Sequence, residues 1–118
     1  MTEKGKFLKK FNEAFAKADT QFIAESVTQD IQWTMFGGKT VHGLEEFKKE
    51  IESMVQSECG MELDKIITHG NTAAVNGIIK AQDKNGNPAD YAFCDVYTLS
   101  GFKNPKIKEM KSYVIKIK

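Results

Sequence analysis

The chain has 118 residues, 41% of them hydrophobic and 28% charged, an ordinary balance for a globular protein and a length that suits one domain, residues 1–118. Lysine and arginine number 17 against 16 acidic residues, so the net charge of +1 gives no general attraction to nucleic acid or to an anionic membrane. No apolar stretch approaches the roughly 20 residues that span a bilayer. Residues Met1 to Lys10 are charged and lack the apolar stretch of a signal peptide. The expected compartment is therefore a reducing cytoplasm, with no membrane and no nucleic acid as partner. Only Cys59 and Cys94 could form a disulfide, and Cys94 lies in an apolar run where a buried free thiol is the natural reading. Neither the thiols nor the histidines and acids show metal-ligand spacing, so no metal and no other cofactor is expected.

Phe7, Leu8, Phe11, Ala14, Phe15 and Ala18 recur at helical spacing, with Lys9, Lys10, Asn12, Glu13 and Lys17 on the other side. Asp19 and Thr20 can cap a second, short helix carrying Phe22, Ile23 and Val27. After Asp30 the period changes to two: Ile31, Trp33 and Met35 alternate with Gln32 and Thr34, which predicts a half-buried strand. Gly37-Gly38 then turns the chain, and Lys39 to His42 returns antiparallel. A third helix begins at Gly43, with Leu44, Phe47, Ile51 and Met54 on one face and Glu45 and Glu46 in the first turn, where the helix dipole favours negative charge. Ser57 to Gly60 reads as its exit loop.

Beyond Gly60 everything reads as strand. Met61 to His69 and Thr72 to Gln82 meet at Gly70-Asn71, and Asn85-Gly86 marks a second hairpin turn before Ala89 to Leu99. Ile107 to Lys118 is the last strand, with a slip in its alternation between Ile107 and Met110 that predicts a bulge. Helices followed by strands argue for an α+β fold with the helices on one face of the sheet.

The strand Tyr91 to Leu99 is the most informative segment. Alternation places Tyr91, Phe93, Asp95, Tyr97 and Leu99 on one face and Ala92, Cys94, Val96 and Thr98 on the other. A carboxylate in an aromatic row costs free energy unless it finds a partner, titrates upward, or faces a cavity reached by water.

The stretch Asp30-Ile-Gln-Trp-Thr-Met-Phe-Gly-Gly-Lys-Thr-Val-His-Gly43 with its following helix, and the later Phe93-Cys-Asp-Val-Tyr97, resemble the SnoaL-like branch of the nuclear transport factor 2-like superfamily. The resemblance runs from about Phe7 to Ile117. It implies a cone-shaped, strongly curved, mixed or antiparallel sheet of about six strands wrapped around about three helices, with a pocket at the open end. Ketosteroid isomerases of this superfamily supply a test by residue. Their general-base aspartate would fall on Thr34 and their oxyanion-donating tyrosine on Phe11, neither of which can do that work. Only the neutral aspartic acid of their oxyanion hole has a like here, at Asp95.

The expectation is a small-molecule pocket protein for an apolar or aromatic ligand, with Asp95 as the group that binds or protonates an oxygen and with isomerase, cyclase or lyase chemistry if it is an enzyme. The competing class is a dimerisation or adaptor module. Trp33, Met35, Phe15, Phe47 and Met54 are expected around the pocket or the core, and Phe93, Tyr91 and Tyr97 flank Asp95. Asn76 either anchors a ligand or satisfies backbone. His42 and His69 are expected outside the pocket. A homodimer is expected through the outer sheet face, with Cys94, Val96, Val75 and Ile79 turned away from the pocket.

Overall fold

Thr2 opens the first helix, α1 (Glu3–Ala16), by accepting the Gly5 amide on its hydroxyl at 3.0 Å, which satisfies one of the free amides of the first turn. The computed structural model describes residues 2–55, 58–101 and 103–118. Asp19 caps the second helix, α2 (Thr20–Glu25), by accepting the Phe22 amide at 3.2 Å. Val27, expected in that helix, instead begins β1 (Val27–Met35). Ser26 ends the helix by donating its hydroxyl to the Phe22 carbonyl at 2.7 Å, and the Ile107 amide docks on the Ser26 carbonyl at 2.8 Å. The β-branched pair Val27-Thr28 then continues as strand.

The turn after β1 closes through the Met35 amide on the Lys39 carbonyl at 2.9 Å, with Gly37 at a φ of 85° that side-chain-bearing residues rarely adopt. It leads into β2 (Thr40–His42) and α3 (Gly43–Met54). Of the expected exit loop, Ser57 lies outside the described residues. Cys59 donates its amide to the Ala16 carbonyl at 2.9 Å, which ties the segment to the end of α1. The remaining strands are β3 (Gly60–His69), β4 (Thr72–Gln82), β5 (Pro88–Leu99) and β6 (Ile107–Lys116).

The six strands form one mixed sheet in the order β2-β1-β6-β5-β4-β3, in which β1 and β6 run parallel and the other neighbours antiparallel. The expected bulge in β6 is present: Thr98 pairs with Glu109 but Leu99 with Ile107, leaving Lys108 as the extra residue. All three helices pack toward one side of the sheet, and Leu8, Phe11, Ile23, Phe47 and Ile51 meet Ile31, Val75, Tyr97 and Met110 in the core.

The register between β4 and β5 decides which residues face the helices. Val75 stands opposite Asp95, Gly77 opposite Phe93 and Ile79 opposite Tyr91, so all six share the inner face. Val75 and Ile79 were expected outside, and this corrects them. Asn76, opposite Cys94, faces outward with Cys94 and Val96. Its carbonyl oxygen accepts the Lys65 amide at 3.0 Å, filling the gap that a bulge between Leu63 and Lys65 leaves in the β3–β4 ladder. The same bulge brings the Glu62 carbonyl oxygen to 2.2 Å from where a Cβ on Gly77 would stand, so only glycine fits there. Among the described residues, no helix is long and apolar enough to cross a membrane.

Candidate functional site

At the end of the sheet away from α2, α1 and the last turn of α3 part from the inner face and leave an open cleft of about 1120 Å³. Phe15 and Asn12 of α1 form one wall, Trp33 and Met35 of β1 another, and Met61 of β3 with Ile79 of β4 a third. Phe93, Asp95, Met110 and Ser112 of β5 and β6 make the floor. Met54, Glu58, Lys80 and Asp83 stand around the mouth.

A continuous hydrogen-bonded chain crosses the floor, and the direction of each bond follows from the donors present. Asn12 is almost wholly buried, and its amide nitrogen donates to the Tyr97 hydroxyl at 3.1 Å and to the Leu8 carbonyl at 2.8 Å. With its oxygen so engaged, Tyr97 donates its own proton to Asp95 Oδ2 at 3.3 Å. From the other side the Trp33 indole nitrogen donates to Ser112 Oγ at 2.9 Å, and the Ser112 hydroxyl bonds to Asp95. The Asp95 carboxyl therefore receives two hydroxyl protons. An ionised carboxylate has about four acceptor sites, so sites remain for a group in the cleft.

Burial raises the Asp95 pKa from 3.8 to about 6, against the pull of the Ser112 and Tyr97 hydrogen bonds, which favour the carboxylate. The shift brings the carboxyl toward the range in which it can exchange a proton near neutral pH. The shift is upward, the direction expected for a carboxyl set among aromatic side chains. Asp95 is an acceptor that can take up a proton. Tyr97 is pushed well above its ordinary value of 10.0, first by burial and then by the Asp95 charge, so it stays a hydroxyl and a donor.

Phe15, Trp33, Met35, Met54 and Phe93 line the cleft, and Asp95 reaches it from the floor. Phe47 does not. It is fully buried behind Trp33, with ring centres 5.6 Å apart, and holds the indole in place. Tyr97 is also fully buried and acts on the cleft through its bonds to Asp95 and Asn12. Tyr91 lies on the inner face but does not line the cleft, and Asn76 serves the backbone of the other face. Thr34 sits between two cleft residues and points outward, while Phe11 is core. His42 and His69 are both exposed and away from the cleft, as expected.

Two side chains of the hydrogen-bonded chain, Asn12 and Ser112, were missed. Asn12 was assigned to the polar side of α1, although it stands four residues after Leu8 and three before Phe15, on the edge of the apolar stripe. Ser112 was overlooked because the last strand reads as a lysine-rich sheet face. Its place midway between Met110 and Val114 is the signal that would have found it. Cys59 lines the cleft with a thiol pKa raised by burial, and Cys94 is raised by burial and by Asp95; both are free. Among the described residues, no three histidines, cysteines or acids gather as metal ligands would.

Residues 8–110 match the sequence profile of the SnoaL-like domain, and the chain belongs to that family. A nuclear transport factor 2-like protein of unknown function from Burkholderia pseudomallei superposes with a TM-score of 0.82 at 22% identity, over 98% of this chain and 92% of that one. Another of the same description, from Cytophaga hutchinsonii, gives 0.76 at 22% identity over 93% and 97%. The epoxide hydrolase/cyclase-like enzyme SalBIII, described in pyran ring formation in the polyether salinomycin, gives 0.80 at 19% identity over 93% and 88%. At these identities the likeness is one of fold. Comparison with curated protein sequences finds no significant match.

Proposed function

We propose that the cleft binds a small, largely apolar ring compound and that Asp95 serves as its proton acceptor, in cofactor-free chemistry of the isomerase, cyclase or lyase kind. The observation that carries this reading is the Asp95 carboxylate on the floor of an apolar cleft, fed by two hydroxyl donors and raised to about 6. A base is most effective when its pKa lies near the working pH, and burial sets that value here. A ligand O–H or acidic C–H placed above the floor would give its proton to Asp95. The electron pair left behind would drive ring closure, elimination or double-bond shift, and Asp95 would return the proton. The shared fold with an epoxide hydrolase/cyclase-like enzyme supports the class of chemistry but not the substrate.

Trp33 is the sole tryptophan and lines the cleft, so its fluorescence reports occupancy. In a thermal-shift and fluorescence screen of ring alcohols and ketones, alcohol ligands should bind more tightly above about pH 6 than below it. Asp95→Asn should abolish that dependence. Ligands that stabilise the protein without perturbing Trp33, or whose affinity ignores both pH and the substitution, would refute the reading.

The adaptor reading draws support from the outer sheet face, where Ile67 of β3 and Tyr113 and Ile115 of β6 are exposed and Tyr113 stacks on Phe36 at 4.6 Å. We assign this face to a two-fold homodimer burying at least about 1,000 Å², a role compatible with an open cleft. Sedimentation at the monomer mass of 13.3 kDa at micromolar concentration would overturn it. The chain's two cysteines, one of them in an apolar run, suit a reducing compartment such as the cytoplasm, which we propose as its location.

A further inference from the structure

All four methionines beyond Met1 line the same cleft, and each comes from a different element: Met35 from β1, Met54 from α3, Met61 from β3 and Met110 from β6. No leucine does, while Leu8 and Leu99 are fully buried in the core. Met110 is itself 1% exposed and packs in the core beneath the floor, whereas Met35, Met54 and Met61 keep exposed surface at the cleft, so three unbranched side chains are offered to it. A thioether is flexible and polarisable, and its sulfur attracts aromatic rings at about 5 Å. Phe15, Trp33 and Phe93 face the same space, Phe15 and Trp33 meeting edge to face at 6.2 Å. The cleft therefore offers sulfur and ring surface to whatever enters it.

Charge narrows the class further. Lys80 is the single cation among the described lining residues, and it is held at the mouth by Glu62 at 3.1 Å. The floor carries the Asp95 carboxyl without a cation beside it among the described residues, and Glu58 adds negative charge near the mouth, where Asp83 is paired with Lys116 at 3.5 Å. A ligand carboxylate driven to the floor would meet a like charge in a poorly solvated place. A hydroxyl would meet an acceptor.

We propose that the cleft selects flat, neutral, conjugated ring systems bearing a hydroxyl, phenols or enols, over saturated alcohols of the same size and over carboxylic acids. The methionines clasp the faces of the ring and the hydroxyl donates to Asp95. This inference rests on the cleft being a ligand site, as read above, and adds the chemical class of the ligand.

The test compares 2-naphthol, decahydro-2-naphthol and 2-naphthoate by calorimetry near neutral pH. 2-Naphthol should bind about tenfold more tightly than its saturated counterpart, from two or three sulfur–ring contacts, and the carboxylate should bind more weakly than either. Replacing Met35 and Met61 by leucine conserves volume. It should weaken 2-naphthol about fivefold and the saturated alcohol by clearly less. In protein labelled with carbon-13 at the methionine methyls, 2-naphthol should shift the Met35 and Met61 signals upfield by ring current; this measurement needs no variant to fold. Equal affinity for the two alcohols, absence of upfield shifts, or a double variant that weakens both alcohols alike would overturn the inference while leaving the ligand-site reading intact. If neither alcohol binds, both readings fall together.

Discussion

Two carboxylates, one in the β4–β5 turn and one on the cleft floor, are each held by hydrogen bonds and yet move in opposite directions. Asp83 accepts the Asn85 and Asn87 amides at 2.9 and 3.0 Å and lies 3.5 Å from the Lys116 ammonium. Its pKa is lowered, chiefly by the Asn87 amide. Asp95 accepts two hydroxyls and is raised to about 6 because burial outweighs them. The number of donors is similar, so what separates the two is access to water and to a cation. The turn uses its carboxylate to fix a loop and the cleft keeps one that can still take a proton, the first a property of scaffold and the second of function.

The comparison can be broken most severely at Trp33, which holds Ser112 on Asp95 and packs against Phe15 and Phe47. Trp33→Ala should cost on the order of 3–5 kcal/mol in urea unfolding, since the indole is 4% exposed. A loss below about 1 kcal/mol would mean that the indole is a loose cleft wall with little structural role. Next in size is Tyr97→Phe, which strips Asp95 of one donor and leaves the buried Asn12 amide short of a partner. It should cost about 1–3 kcal/mol and push the Asp95 pKa above about 6, as followed by carbon NMR titration. An unchanged Asp95 titration would show that the hydroxyl does not reach it.

Substituting the two carboxylates sharpens the contrast, because their linkage to pH has opposite signs. Asp95 binds its proton more tightly folded than unfolded, so between about 6 and 3.8 the native state carries the excess proton. Stability therefore falls as pH rises through that window, and the cost is fully present above it. Asp95→Asn should flatten this slope and stabilise the protein by about 1 kcal/mol near pH 7, less than the shift alone implies because an amide pairs less well with two hydroxyl donors. For Asp83 the folded pKa lies below 3.8, so its stabilisation is present above that value and is lost as pH falls through the folded pKa. Asp83→Asn should bring a small loss near neutrality that disappears in acid. Unfolding curves of both variants from acid to neutral pH check the pair; slopes of the same sign would remove the distinction.

Much of this arrangement was legible in the sequence, and the residues that were not share a cause. Helical spacing found α1 and α3, alternation found the row Phe93-Asp95-Tyr97, and the Asn85-Gly86 turn found the β4–β5 hairpin. Which face of β4 met that row was not legible. Gln82 pairs with Pro88 across a five-residue loop, and a loop one residue longer or shorter would turn Asn76 inward and Val75 outward. Asn12 and Ser112 escaped notice for a related reason. A polar residue on an apolar stripe shows its purpose only when its partner, 85 positions away for Asn12 and 79 for Ser112, is known.

The parallel pairing of β1 with β6 has a consequence in time as well as in space. Trp33 and Ser112 come from the first and last strands in sequence, so closing that contact forfeits the entropy of a loop spanning most of the chain. Such distant pairings belong to the slow part of a folding reaction, whereas the β3–β4 and β4–β5 hairpins close locally and early. The hydrophobic sheet and its helices can thus collapse before the last strand arrives. Ser112 meets Asp95 when β6 pairs with β5, but the Trp33 indole reaches Ser112 only when β6 docks against β1, which makes completion of the site a late event in the molecule's own assembly.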